Sequence, residues 1–115
     1  MTNLTIFEKI ARREIPAAIV HEEEEFLAFK DVNPQAPVHV LIAPRRVIAG
    51  IGASQPGDAA LLGKMLAATP AIAKALGVFE SGYRLVINHG AHAGESVPHL
   101  HIHLLGGRPL AWPPG

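Results

Sequence analysis

His99, His101 and His103 occupy every second position of Ser96-Val97-Pro98-His99-Leu100-His101-Ile102-His103-Leu104-Leu105. Imidazole changes charge near neutral pH, and its neutral form is at once a nucleophile, a hydrogen-bond donor and a metal ligand. Strict alternation with Leu100, Ile102 and Leu104 predicts a strand over residues 96–105, because successive strand side chains point to opposite faces. One face is then aliphatic. The other carries a row of imidazoles spaced roughly 6–7 Å apart at ~3.3 Å rise per residue. Such a row can surround a small anion such as a phosphate. A single histidine in a strand is ordinarily a hydrogen-bonded core residue, but packing has little use for three adjacent imidazoles, so the row reads as a site. His-x-His on a strand can also chelate zinc, the competing use of the same residues.

The rest of the chain must position this row. Residues 5–13 place Ile6, Phe7 and Ile10 on one face of a short amphipathic helix, and Pro16 marks its limit. Residues 17–21 and 26–32 read as two strands joined by a solvated acidic turn, Glu22-Glu23-Glu24-Glu25. Asn33-Pro34-Gln35-Ala36-Pro37 is a loop leading into a buried strand, Val38-His39-Val40-Leu41-Ile42-Ala43, where His39 taken alone would be a core histidine. Residues 54–76 are rich in helix formers, with Ser54 as N-cap, Asp58 in the first turn and Gly77 as C-cap. Pro70 predicts a kink or break near Thr69. Another strand covers residues 83–88. It is followed by the small-residue loop Gly90-Ala91-His92-Ala93-Gly94-Glu95-Ser96, of a type whose backbone N–H groups can cradle a phosphate. Alternating strands with one long and one short helix predict an α+β fold whose sheet has about five strands and is mostly antiparallel.

Length and composition bound the function. The 115 residues make one domain, 1–115. Ten basic residues offset ten acidic ones, so no net field draws the chain to nucleic acid or to an anionic membrane. Without cysteine, disulfides and thiolate metal sites are excluded. Met1-Thr2-Asn3-Leu4 leads into charged residues, so no signal peptide is expected, and no apolar run reaches the ~18 residues of a membrane span. A cytoplasmic location is the expectation.

The run from His99 to Leu105 resembles the histidine triad signature, His-φ-His-φ-His-φ-φ with φ apolar. The flanks resemble the Hint branch of that family, the nucleoside phosphoramidases, through Ile6-Phe7, Glu14-Ile15-Pro16-Ala17, Ala28-Phe29, Asp31, Pro34-Gln35-Ala36-Pro37, His39, Gly82-Tyr83-Arg84, Asn88, Gly94, Ser96-Val97, Leu105-Gly106-Gly107-Arg108 and Trp112-Pro113-Pro114-Gly115. The likeness runs nearly end to end.

This resemblance implies a two-fold homodimer whose sheets join. It also implies hydrolysis of the P–N bond of purine nucleoside 5′-phosphoramidates with neither metal nor cofactor, the ligand being AMP, GMP or adenosine-like. His101 would be the nucleophile, held by the backbone carbonyl of His99, and would form a covalent nucleotidyl-histidine. His103, His39 and Asn88 would surround the α-phosphate, with Gly94 and Glu95 in the neighbouring loop. Ser96 and His99 would lie toward the leaving amine, which must gain a proton. Asp31 would take the ribose hydroxyls, and Ile6, Phe7, Ile10, Ile15, Phe29, Val32 and Leu41 would surround the base. Trp112 would reach the partner's site. The alternatives are a dinucleoside polyphosphate hydrolase with the same nucleophile and a non-catalytic nucleotide-binding regulator. The chain departs from its close relatives at Glu95, where they have Gln. It also departs at Pro98, which stands for an aromatic, at His89, where an acidic residue is common, and at Val47, which stands for a His.

Overall fold

A computed structural model describes residues 4–115; the Met1-Thr2-Asn3 segment, read above for a leader, lies outside them. Five strands form one sheet: β1 (Ile19–Glu22), β2 (Phe26–Lys30), β3 (Val38–Pro44), β4 (Tyr83–Val86) and β5 (Ile102–Gly106). Their order is β1-β2-β3-β5-β4, and every neighbouring pair is antiparallel. The last strand in sequence is thus inserted beside the central one. Among the described residues no helix is long and apolar enough to cross a membrane.

Alternation sorts the two faces of this sheet. Phe26, Ala28, Val40, Ile42, Ile102 and Leu104 face helices α2 (Ala59–Ala67) and α3 (Thr69–Ala75), packing on Leu61, Met65, Ile72 and Ala73. Leu27, Phe29, Leu41 and Ala43 face the other way and are covered by Phe7 and Ile10 of helix α1 (Ile6–Ala11). A capping box starts α1: Thr5 Oγ1 accepts the Glu8 N–H, and Glu8 Oε1 accepts the Thr5 N–H. The chain leaves α1 through Arg13 in the left-handed region, φ 59°. The acidic turn is exposed and ion-paired at its ends, Glu22 with Arg13 and Arg45, and Glu25 with Lys64.

The long helix expected over residues 54–76 is two helices. Pro70 has no N–H to offer the Leu66 carbonyl four residues back, and the Thr69 hydroxyl donates to that carbonyl instead, at 2.8 Å. Ser54 is not the N-cap: its hydroxyl donates back to Ile51 O at 2.7 Å. Asp58 closes the start, accepting the Gln55 N–H at 2.7 Å and pairing with Arg46. Gly77 ends α3 as expected, at φ 76°, with Val78 N–H on Ala73 O and Gly77 N–H on Lys74 O. This is the Schellman pattern, and it needs a left-handed residue.

The strand expected over residues 96–105 forms only from Ile102. Pro98 has no N–H for a ladder, the His99 N–H turns back to Val97 O at 2.8 Å, and the Leu100 N–H goes to Ile48 O. The chain therefore enters β5 from an irregular approach that carries His99 and His101. Leu104, fully buried on the helix-covered face, is the anchor of β5. Leu104→Ala is expected to lower unfolding free energy by roughly 2–5 kcal/mol, measured by urea denaturation.

Candidate active site

A cavity of ≈ 290 Å³ opens between α1, the end of β2 and the approach to β5. Ile6, Phe7 and Ile10 of α1 form one wall, and Ile15, Phe29 and Leu41 continue it. Asp31 and Val32 stand where β2 ends, opposite Ser96, His101 and His103. Ile6 and Val32 are largely exposed at the mouth, whereas Phe7, Ile10, Phe29 and Leu41 are buried. These eleven residues were expected together from the sequence, and the fold brings them to one cavity.

Register explains how the imidazoles meet. β3 pairs with β5 so that Leu41 lies opposite His103 and His39 opposite Leu105, which puts His39 and His103 on the face that α1 covers in part. His39 Nε2 lies 2.9 Å from His103 Nδ1 and 3.5 Å from Asp31 Oδ2. His101 sits beside His103 with ring centroids 4.9 Å apart, and Phe7 packs edge-on against His101, also at 4.9 Å.

Main-chain partners settle which nitrogen of each neutral ring carries the proton. The Gln35 N–H can only donate, and it reaches His39 Nδ1 at 3.0 Å. His39 therefore carries its proton on Nε2 and donates to His103 Nδ1. That leaves His103 with an Nε2–H for the cavity. His101 Nδ1 lies 2.8 Å from the His99 carbonyl, which can only accept; its proton is there, and Nε2 keeps a lone pair. A nucleophilic nitrogen and a hydrogen-bond donor thus line the same cavity.

Burial disfavours the charged form of His103, His39 and His99. It pushes the His103 pKa down from 6.5 to about 4, helped by the neighbouring His101 and His39 and opposed by Asp31. His39 is lowered by burial against the pull of Asp31. His99 is lowered by burial against its bond to the Pro44 carbonyl.

Several expected site residues stand elsewhere. The His99 ring is fully buried, with Nε2 donating to Pro44 O at 2.7 Å and Nδ1 at 2.8 Å from Thr5 Oγ1. It does not line the cavity. Packing does have a use for this imidazole, as a core residue with both nitrogens satisfied. Glu95 folds back, accepting the Gly90 N–H at 3.1 Å and lying over Gly50, so its carboxylate is spent inside the loop. The same loop uses its N–H groups internally, Ala93 and Glu95 donating to Gly90 O and Gly94 to Ala91 O, so these are not free to cradle a phosphate. Asn88, Gly94, Glu95 and Trp112 do not line the cavity, and Trp112 is exposed. Pro16, Ala17, Lys30 and Val97 line it although they were not expected among the site residues. Thr5 was missed as well; the Thr5-x-x-Glu8 capping box is legible, but its tie to His99 across the fold is not.

Asp31, His39 and His103 offer three ligand atoms within 4.8 Å of one another. Ligand atoms on a tetrahedral zinc at ~2.0–2.1 Å lie about 3.3 Å apart, whereas the two ring nitrogens here are 2.9 Å apart across a shared proton. As arranged, the trio fits a hydrogen-bonded pair beside a carboxylate, and a metal would have to break that pair.

A family model described as "HIT domain" matches residues 12–110, and the chain belongs to that family. A HIT-like protein of Synechocystis is 56% identical over 115 residues, covering both chains completely. A 14 kDa zinc-binding protein of Zea mays is 47% identical over 113 residues, covering 96% of this chain and 88% of its own. The crystal structure of a HIT family hydrolase from Legionella pneumophila superposes with a TM-score of 0.94 at 47% identity, covering 97% of this chain and all of that one.

Because His103 is neutral when folded down to about pH 4 while an unfolded histidine protonates near 6.5, acid favours the unfolded chain within that window. Stability is expected to be full above pH 6.5 and to fall as pH drops toward 4. Thermal melts across this range should show a shallower decline for His103→Gln than for the unmutated protein.

Proposed function

We propose that this protein hydrolyses the P–N bond of purine nucleoside 5′-phosphoramidates through a nucleotidyl-His101 intermediate. The observation that carries the reading is the pair of ring contacts, His101 Nδ1 on the His99 carbonyl and His103 Nδ1 on His39 Nε2, which for neutral rings puts a lone pair on His101 Nε2 and an N–H on His103 Nε2. The apolar wall around Phe7, Ile10, Phe29 and Leu41 accepts a planar base. Asp31 at the rim accepts ribose hydroxyls, which sets the α-phosphate against His103 and His101. His101 Nε2 bonds to phosphorus as the P–N bond breaks, and the leaving nitrogen takes a proton from the Ser96 hydroxyl, which regains one from solvent. His103 Nε2–H donates to the oxygen on which charge builds. Water then attacks phosphorus, the N–P bond breaks, and the nucleoside monophosphate leaves with the His101 lone pair restored and one proton lost to solvent. The positive charge on the modified ring is held through Nδ1–H by the His99 carbonyl.

The same reading includes a cytoplasmic homodimer. β4 is an edge strand, open to pairing with a second copy, and the exposed Trp112 would reach across to the partner's cavity. A dinucleoside polyphosphate is the alternative substrate for the same nucleophile. A zinc reading draws on the Asp31–His39–His103 trio and on the name of the maize relative; it requires losing the hydrogen bond that orients His103.

Incubation with adenosine 5′-phosphoramidate, diadenosine polyphosphates and AMP, followed by intact mass and product analysis, separates these readings. Turnover of the phosphoramidate with a nucleotidyl adduct is expected, undiminished by chelator. His101→Ala should abolish the adduct and lower kcat by roughly 10³-fold or more, and His103→Ala should cost roughly 10²–10³. Loss of turnover on chelation favours the metal, and AMP binding without turnover of any substrate favours a regulatory module.

A further inference from the structure

Thr5 lies outside the cavity lining. Its hydroxyl nevertheless joins two systems, the start of α1 and the buried His99 ring. A hydroxyl has one proton and two lone pairs. The Glu8 N–H, 3.0 Å away, is a donor and takes a lone pair of Thr5 Oγ1. Pro44 O is an acceptor and takes the His99 Nε2–H. The neutral His99 ring therefore presents a lone pair at Nδ1, and the Thr5 proton must go to it, at 2.8 Å. His99 has no exposed surface, so water cannot replace that donor without opening the fold.

The residue anchored in this way also carries the carbonyl that holds the His101 Nδ1–H. Residue 99 precedes β5, so no strand ladder fixes that carbonyl. Its peptide is held at one end by Leu100 N–H on Ile48 O and at the other by the His99 ring between Thr5 and Pro44. Phe7, two residues after Thr5, packs edge-on against both His99 and His101, with centroids 5.6 and 4.9 Å away. One hydroxyl thus ties the base-binding helix to the backbone group that sets the nucleophile's tautomer.

We propose that Thr5 is a positioning residue whose hydroxyl, acting through His99, holds His101 as the Nδ1–H tautomer with its reactive lone pair on Nε2. The proposal rests on the nucleotidyl-histidine reading for its kinetic consequence, and not for its spectroscopic one. Removing the hydroxyl leaves a buried lone pair on His99 without a partner and loosens one of the two anchors of the 99–100 peptide.

Thr5→Val is compared with Thr5→Ser, which keeps the hydroxyl, and with Glu8→Ala, which weakens the same helix cap while leaving the Thr5–His99 bond in place. Long-range 1H–15N spectra of the His101 ring are expected to show a single Nδ1–H tautomer in the unmutated protein, Thr5→Ser and Glu8→Ala, and a mixture in Thr5→Val. On an adenosine phosphoramidate, Thr5→Val should lower kcat roughly tenfold, equivalent to about 1.4 kcal/mol of barrier, with KM changed less than kcat. Thr5→Ser should restore the rate, and Glu8→Ala should lose melting temperature without losing kcat. Thr5→Ala gives the same reading should Thr5→Val fail to fold. An unmixed Nδ1–H tautomer in the hydroxyl-free variants overturns the proposal, as does a loss of kcat in Glu8→Ala equal to that in Thr5→Val. Absence of turnover in the unmutated protein would count against the hydrolase reading alone, because the ring spectra still decide the role of Thr5.

Discussion

The antiparallel ladder between β3 and β5 is the interaction on which the site depends. It joins segments far apart in sequence, so that His39 and His103, separated by 64 positions, share a hydrogen bond. A ladder is indifferent to side chains. The aliphatic alternation of Val40 and Ile42 with Ile102 and Leu104, all buried toward the helices, makes this register the favourable one. A slip of one residue would drive His103 under α2 and α3 and turn Leu104 toward the cavity.

Burial then works with the backbone. Removing imidazoles from water disfavours their charged form, and a neutral ring has one donor and one acceptor nitrogen. The scaffold fills one nitrogen of each key ring with a group of fixed polarity: the Pro44 carbonyl for His99, the Gln35 N–H for His39, and the His99 carbonyl for His101. Proton positions are thereby set by main-chain groups of fixed polarity. On the proposed reading, charge developing on a phosphate would meet donors already oriented, which is the physical content of preorganisation. The same burial makes acid unfavourable to the fold, so the site and the pH range of stability share one cause.

Local irregularities serve this arrangement. Pro98 ends any strand pairing just before the first histidine, freeing the approach to β5 to turn His99 into the core while His101 faces the cavity. Pro70 divides the helical layer, and Thr69 satisfies the carbonyl that the proline abandons. The two short helices that result cover the aliphatic face on which Ile102 and Leu104 rest.

Much was legible in the chain because it is written in local pattern. Alternation through Leu100, Ile102 and Leu104 announces a two-faced strand, Pro70 announces the helix break, and Gly77 the helix end, each being a constraint on a few neighbouring backbone bonds. The resemblance of the triad and its flanks brought together the cavity residues from Ile6 to His103. What local pattern does not contain is which partner a polar group meets. Glu95 reads as a charge beside a phosphate loop until the fold turns it onto Gly90, and His99 reads as a side chain toward the leaving amine until Thr5 and Pro44 close on its ring. Those outcomes required contacts across 94 and 55 positions. Chain-local propensities are blind to such distances, and only packing the α1 start and the end of β3 against the same residue decided them.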